Sequence, residues 1–215
     1  MKFSELLEIV GSRPVFTSAL LRVGDVDPVA IASQLSRWVA SGRLVSLRRG
    51  VYAVAKPYRA REPHAFEVAN TLVRPSYVSL ESALAFHGLI PEAVYVTTSV
   101  TTARTSRFDT PLGSFDYRHI SPALMWGYTE ERLAAHASHT ALVARPEKAL
   151  LDLVHLRPGA DSDAFLRQLR LDRLESVDAA LLVEYAERSG KPKLLRAARR
   201  IARMVDERSD EWREL

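Results

Sequence analysis

Residues 14–54, PVFTSALLRVGDVDPVAIASQLSRWVASGRLVSLRRGVYAV, decide the fold predicted for this chain. A short helix is predicted from Thr17, which can cap it, to Gly24, which permits a left-handed turn. A second helix is predicted at 28–41, opened by Asp27-Pro28 and burying Ile31, Leu35 and Trp38 on one face. The runs LVSL and VYAV then flank Arg48-Arg49-Gly50 as two strands of a hairpin. Two helices followed by a basic hairpin predict a winged helix-turn-helix, a fold that places a helix in the major groove of DNA.

The positive charge of the chain is concentrated in this N-terminal stretch. The chain has 215 residues and a net charge of +4. Residues 1–62 contain ten Lys or Arg against five Asp or Glu, whereas the remainder carries 20 basic and 21 acidic residues. A local basic excess is the electrostatic footprint expected of a nucleic-acid-binding segment.

The composition excludes several classes of protein. No cysteine is present, so disulfides and thiolate metal sites are excluded. No run of about 18 apolar residues occurs, and the N-terminal MKFSELLEIVGSRP lacks the apolar core of a signal peptide. We therefore expect a cytoplasmic protein without a membrane span, and nothing in the sequence predicts a cofactor or a metal site.

The rest of the chain predicts a second domain. KPYRAREP at 56–63 has no apolar periodicity and is interpreted as a linker between a DNA-binding domain, 1–56, and a second domain, 63–215. In that domain the predicted helices are HAFEVANTLV, SYVSLESALAFHGL, PEKALLDLVHL, DAFLRQLRL, SVDAALLVEYAERS and PKLLRAARRIARMVDE, and the predicted strands are VYVTTSV, GSFDYRHI and HTALVA. The predicted fold class is thus α+β, with a winged helix-turn-helix first and a helical C-terminus.

Candidate DNA-binding side chains follow from the predicted helices and hairpin. Arg and Gln on the outer face of 28–41 can read guanine and adenine edges, and small neighbours such as Ala30 allow a close approach to the groove. Arginines at the hairpin tip can reach phosphates, as can hydroxyls at a helix start. The candidates are Thr17, Ser18, Ser33, Gln34, Arg37, Ser41, Arg43, Arg48 and Arg49.

Four segments in order, RRGVYAV, YVSLESALAFHGLIP, VYVTTS and RPEKALLDL, carry a family resemblance. With them the chain resembles the AbiEi family, antitoxins of abortive-infection type IV toxin–antitoxin systems. The resemblance extends from a helix predicted at residues 3–10, FSELLEIV, to about Val205. It implies that the N-terminal domain binds inverted repeats in double-stranded DNA at its own promoter and represses the operon. It also implies that the second domain counters a nucleotidyltransferase toxin without forming a stable complex.

Two other functions remain open from the residues. One is a DNA-binding regulator whose second domain senses a ligand or partner. The other is a metal-dependent nucleotidyltransferase, in which Gly11-Ser12 would hold a triphosphate and Asp25-x-Asp27 would hold Mg²⁺. That reading needs the acid pair on a strand, whereas Asp27-Pro28 opens a helix, so we predict no enzyme.

Three further groups are ambiguous in the sequence alone. His136-x-x-His139 could hold a metal, but without a third ligand a surface pair is the simpler interpretation. Glu147, Lys148 and Asp152 share one predicted helix and match a nuclease site only in residue type. The C-terminal helix carries a basic face opposite an apolar stripe, formed by Arg196, Arg199, Arg200 and Arg203. Such a face is usually solvated, although it could also touch nucleic acid or an acidic partner.

Overall fold

The predicted fold class, mixed α and β, is confirmed. The structure, a computed structural model, describes the backbone of residues 1–22, 27–133 and 139–213 and the side chains of those before residue 208. Within these ranges the chain forms eight α-helices and two β-sheets. None of the described helices combines the length and the apolar composition needed to cross a membrane.

The N-terminal part consists of two α-helices and a three-stranded antiparallel sheet. Its elements are α1 (Phe3–Val10), β1 (Val15–Thr17), a 3₁₀ turn (Ser18–Leu21), α2 (Pro28–Ala40), β2 (Leu44–Arg48) and β3 (Val51–Val54). The strand order is β1-β3-β2, so the first strand lies beside the last. The chain therefore passes through α2 before the hairpin of β2 and β3 closes the sheet.

Helix α2 begins and ends where the sequence predicts. The Asp27 side chain accepts a hydrogen bond from the Val29 backbone N–H at 2.9 Å, which satisfies one free donor at the helix start. Gly42, with φ +68°, follows the last turn in the left-handed conformation that glycine tolerates. Ile31, Leu35 and Trp38 are buried as predicted. They pack in a small core with α1 and one face of the sheet. In this core the rings of Phe3 and Trp38 pack edge to face, with their centroids 5.4 Å apart.

The helix predicted from Thr17 is largely wrong. Only Ser18–Leu21 is helical, as a single 3₁₀ turn, and Gly24 lies outside the described residues. Thr17 closes β1 opposite Val51, and its side chain makes no capping hydrogen bond. Backbone pairing with β3 thus overrides the local capping signal at this position.

The second part builds a six-stranded sheet covered by helices. Its elements are α3 (Ala65–Leu72), β4 (Ser76–Val78), α4 (Leu80–Phe86), β5 (Val96–Thr101), β6 (Ser106–Thr110), β7 (Gly113–His119), β8 (Tyr128–Arg132), β9 (Thr140–Ala144), α5 (Pro146–Leu156), α6 (Asp163–Gln168), α7 (Ala179–Arg188) and α8 (Pro192–Arg213). The strand order is β6-β7-β5-β4-β9-β8. The pairs β4–β9 and β5–β7 are parallel, and the remaining pairs are antiparallel. The main apolar core fills the space between this sheet and the helices around it.

Three strands of this sheet are not predicted by the sequence pattern. Residues Ser76–Val78 form a strand instead of the start of a helix, and all three are buried, so no alternation marks them. Strands β6 and β8 lie at the two edges of the sheet and carry mostly polar side chains. An edge strand needs little apolar surface because water covers one of its sides, which is why these two escape a hydrophobicity pattern.

The predicted linker has no regular secondary structure, but it is not free of contacts. Arg59 forms an ion pair with Glu62, and Arg61 reaches forward to Glu67 on α3 at 2.5 Å. These two arginines of the predicted linker are largely buried, with side chains that are 9% and 17% exposed.

The small N-terminal sheet also packs against the second part of the chain. Val15, Leu47, Val51 and Ala53 face away from the α1–α2 core and are at most 7% exposed. They belong to the same apolar cluster as Leu72 of α3. Burying four apolar side chains across the junction ties the two parts together through the hydrophobic effect.

Candidate nucleic-acid interface

The outer face of α2 presents polar side chains beside small ones. Ser33 and Arg37 are exposed, and Gln34 is half-buried. Ala30 and Ala32, also exposed, add no bulk to this face. The opposite face is anchored in the N-terminal core, so α2 is fixed while its outer side chains remain in solvent.

Ser41 follows the last turn of α2, and its hydroxyl is already engaged. It donates to the backbone carbonyl of Trp38 at 3.2 Å, although the residue as a whole is exposed. The hydroxyl keeps acceptor capacity, so a further hydrogen bond to a ligand donor remains compatible with this geometry.

Arg49 and Gly50 form the turn between β2 and β3. Gly50 has φ +79°, which suits glycine at a tight hairpin turn. The Ser18 backbone N–H donates to the Gly50 carbonyl at 2.8 Å, so the turn and the start of the 3₁₀ segment touch. Arg49 is exposed, and Thr17 and Ser18 are half-buried. Thr17 and Ser18 therefore lie beside the hairpin turn, and Arg49 extends from that turn into solvent.

Arg48 points away from this turn. Its Nε donates to the Leu72 carbonyl at the end of α3, and its guanidinium lies 5.7 Å from the centre of the Phe108 ring. The expectation that Arg48 reaches a phosphate does not fit this arrangement, because the guanidinium is held inside the junction. No local sequence signal indicates these contacts, since the two partners of Arg48 lie 24 and 60 residues further along the chain.

Arg43 is turned toward α1. Its guanidinium lies 5.4 Å from the centre of the Phe3 ring, in cation–π geometry. The residue is exposed, so the contact leaves part of the guanidinium open to solvent. Arg43 therefore covers the edge of the N-terminal core while keeping donors available.

An ionic cluster joins the linker to the second part. Arg61 donates to both carboxylate oxygens of Glu67, at 2.7 and 2.5 Å. The Nδ1 atom of His139 lies 3.1 Å from the same carboxylate. Burial by itself would raise the pKa of Glu67, but hydrogen bonds from Arg61 and from the His64 backbone outweigh it, and the net effect lowers that pKa. The cluster is thus a structural ion pair that fixes residues 61–67.

Two of the four segments that carry the family resemblance, YVSLESALAFHGLIP and RPEKALLDL, meet in a buried polar cluster. The Asp152 carboxylate accepts hydrogen bonds from the hydroxyls of Tyr77, at 3.0 Å, and Ser79, at 2.8 Å. It also forms an ion pair with Lys148, one turn earlier on α5, and both side chains are at most 2% exposed. Burial and the neighbouring Asp152 carboxylate raise the pKa of Tyr77. Glu147 accepts a hydrogen bond from the backbone N–H of Asp178 at 2.9 Å, so Glu147, Lys148 and Asp152 all have partners inside the protein.

The described structure offers no support for a metal-dependent nucleotidyltransferase site at Asp27 or for a metal site at His139. Among residues 1–22, 27–133 and 139–207, no three His, Asp or Glu side chains lie close enough together to hold a metal ion. Asp27 is engaged as the cap of α2, while Asp25 and His136 lie outside the described residues. His139 contacts Arg61 and Glu67 instead of a second histidine in the described structure.

The basic face of α8 is divided between paired and free arginines. Arg196 donates to the Asp161 carboxylate at 3.0 and 2.8 Å, and Arg200 lies 3.1 Å from Asp163. Arg199 and Arg203 are exposed and have no hydrogen-bond or ion-pair partner within the described part of the chain. Half of this face therefore serves intramolecular contacts.

Comparisons with known proteins assign no family. No protein-family model matches the chain, and no curated protein sequence matches it. Functional inference consequently depends on the arrangement of α2 and the hairpin, on the charge distribution, and on the four segments that carry the resemblance.

Proposed function

We propose that this protein is a DNA-binding antitoxin that represses its own operon through an N-terminal winged helix-turn-helix. The order of elements supports the fold assignment: a helix, a strand, a short helical turn, the longer helix α2 and a β-hairpin, with β1 beside β3. In such a domain α2 enters the major groove and the hairpin approaches the flanking backbone.

The observation that carries the proposal is the outer face of α2. Arg37 and Ser33 are exposed, Gln34 is half-buried, and the opposite face is anchored by Trp38. An arginine can bind the O6 and N7 atoms of guanine with two hydrogen bonds, and a glutamine can pair in the same way with adenine. Arg37 is accordingly the proposed base-reading residue, and Arg49 the proposed phosphate contact.

The antitoxin role rests on the resemblance to the AbiEi family. It assigns to the second part the task of countering a nucleotidyltransferase toxin without a stable complex, in the cytoplasm. Growth of cells that express the toxin from the neighbouring gene, with and without this protein, tests that role. Failure to restore growth while promoter repression persists would leave a DNA-binding regulator without antitoxin function.

The same proposal predicts sequence-specific and salt-dependent binding. Each neutralised phosphate adds about −0.9 to the slope of log K against log salt concentration. Titration of the upstream promoter DNA at several salt concentrations is expected to give a steep slope and a clear preference over scrambled DNA. Equal affinity for both DNAs at matched salt would contradict specific recognition.

Arg37 and Arg49 are expected to contribute in different ways. Substitution Arg37→Ala removes discrimination at one base pair, worth about 1–3 kcal/mol, because the guanidinium would no longer distinguish guanine from other bases. Substitution Arg49→Ala weakens binding to all sites by a similar factor, because a phosphate contact carries no sequence information. Binding of both variants to a panel of operator mutants measures the difference. Identical profiles for the two variants would show that helix and hairpin do not have these separate tasks.

One cleft in the second part supports the alternative of a ligand-sensing regulator. It has a volume of about 910 Å³ and combines apolar side chains from α4 and α5 with the strongly exposed Tyr95 at its rim. A volume of this size is typical of small-molecule sites. Under this alternative, a bound small molecule would change operator affinity without any toxin present.

A further inference from the structure

A cleft runs along the junction between the N-terminal sheet and the second part of the chain. Its wider portion, about 820 Å³, lies between β1, α3 and the strands β8 and β9. A narrower portion of about 270 Å³ continues along β1 toward Thr17. Arg13 and Arg74 line both portions, so one cation comes from each part of the chain.

Neither of these two arginines is used to hold the fold together. Arg13 and Arg74 are exposed, and neither side chain has a hydrogen-bond or ion-pair partner in the described part of the chain. In contrast, Arg61, which also lines the wider portion, is occupied by Glu67. The guanidinium groups of Arg13 and Arg74 are therefore available to bind a ligand that enters the cleft.

Both carboxylates of the cleft line its wider portion, and each has a partner there. Glu67 accepts from Arg61 and lies beside His139. Glu130 accepts a hydrogen bond from the hydroxyl of Thr140 at 2.8 Å. Arg61 compensates the charge of Glu67, whereas Glu130 keeps its charge in the wider portion. No carboxylate of the described residues lines the narrower portion, so Arg13 and Arg74 give that portion a positive potential.

This arrangement points to a binding site for a phosphate group. Arginine offers a planar fork of N–H donors that matches the oxygens of phosphate, and two arginines that line one cleft can donate to the same group. The hydroxyl of Thr17, at the narrow end, can donate a further hydrogen bond. We propose that Arg13 and Arg74, with Thr17, bind a phosphate that belongs either to the DNA backbone or to a free phosphorylated ligand.

The first source of phosphate depends on the proposed function, and the second does not. If DNA supplies the phosphate, Arg74 brings the second part of the chain into the operator complex. If a free ligand supplies it, the ligand would bridge the two parts at their junction. Both sources require the same two guanidinium groups, so one pair of substitutions tests both.

The experiment uses the full chain with Arg13→Gln and Arg74→Gln, singly and together. Arg104→Gln is the matched control, because Arg104 is exposed, lies outside the cleft and has no hydrogen-bond or ion-pair partner among the described residues. One assay measures promoter DNA binding as a function of salt. The second measures thermal unfolding of each protein with increasing inorganic phosphate or pyrophosphate.

For a DNA phosphate, each cleft substitution is expected to reduce the salt slope by about 1 relative to the control. For a free ligand, phosphate or pyrophosphate is expected to raise the melting temperature of the wild type and the control but not of the double variant. The second result would support the site even if the wild type bound no DNA. If the double variant behaves like Arg104→Gln in both assays, or if the wild type responds in neither, the proposal is overturned.

Discussion

Replacement of Asp152 by alanine is expected to destabilise the folded protein by about 3–5 kcal/mol, because it leaves Lys148 as an uncompensated buried charge. The same change removes the acceptor for the hydroxyls of Tyr77 and Ser79. Buried donors without partners carry a further desolvation cost. Urea denaturation followed by circular dichroism measures the change, and Asp152→Asn provides a second variant should the alanine variant not fold.

The control for this prediction is Arg196→Ala on α8. Arg196 also pairs with a carboxylate, that of Asp161, but its side chain is 58% exposed. Water screens such a pair, so the expected loss is within about 1 kcal/mol. The double variant Lys148→Met/Asp152→Leu should lose less stability than the two single changes added together, since the charges depend on each other. Strict additivity, or a small effect of Asp152→Ala, would show that the buried ion pair does not stabilise this core.

The buried cluster illustrates what a sequence pattern can and cannot reveal. The helix PEKALLDLVHL was predicted and begins at Pro146, as the missing N–H of proline favours at the first helical turn. The burial of its charged residues was not predictable, because it depends on Tyr77 and Ser79, which lie more than seventy residues earlier in the chain. Local periodicity reports which face of a helix is apolar, whereas partners of a buried charge are a property of the tertiary fold.

In the N-terminal part, too, the sequence predicts the elements that depend on local signals but not those that depend on tertiary contacts. Helix α2 and the strands Leu44–Arg48 and Val51–Val54 were predicted because their caps, glycines and apolar spacing are local signals. The short helix at Thr17 was not formed as predicted, because pairing with Val51 keeps that residue extended. Among the candidate site residues, Ser33, Arg37 and Arg49 are exposed as the proposal requires. Arg13 and Arg74 gave no signal in the sequence, since the fold brings them to one cleft from separate segments.

An isolated N-terminal fragment is expected to be less stable than the same residues in the full chain, because the N-terminal sheet packs against the second part. A fragment ending before His64 would expose Val15, Leu47, Val51 and Ala53, which the full chain buries. Exposed apolar surface of this kind lowers stability and favours aggregation. DNA-binding experiments are therefore best performed with the full chain.

Substitution Arg48→Ala is expected to cost about 2–3 kcal/mol of folding stability while leaving the salt dependence of DNA binding unchanged. A hydrogen bond from a charged donor contributes about 1.5–3 kcal/mol, and a cation–π contact adds about 0.5–1 kcal/mol. Arg48 makes both contacts, with the Leu72 carbonyl and the Phe108 ring, and both are within the protein. Neither contact neutralises a DNA phosphate.

Arg49→Ala is the matched control for Arg48→Ala, because the two arginines are adjacent and carry the same charge. Arg49 is exposed, so its loss should change stability by less than about 0.5 kcal/mol. It should nevertheless reduce the salt slope of DNA binding by about 1, since one phosphate contact would be lost. Urea denaturation and salt titrations, performed at a temperature where both variants are folded, compare the two. An equal reduction of the salt slope by both variants would mean that Arg48 leaves Leu72 and Phe108 to contact DNA, and that the junction rearranges when the operator binds.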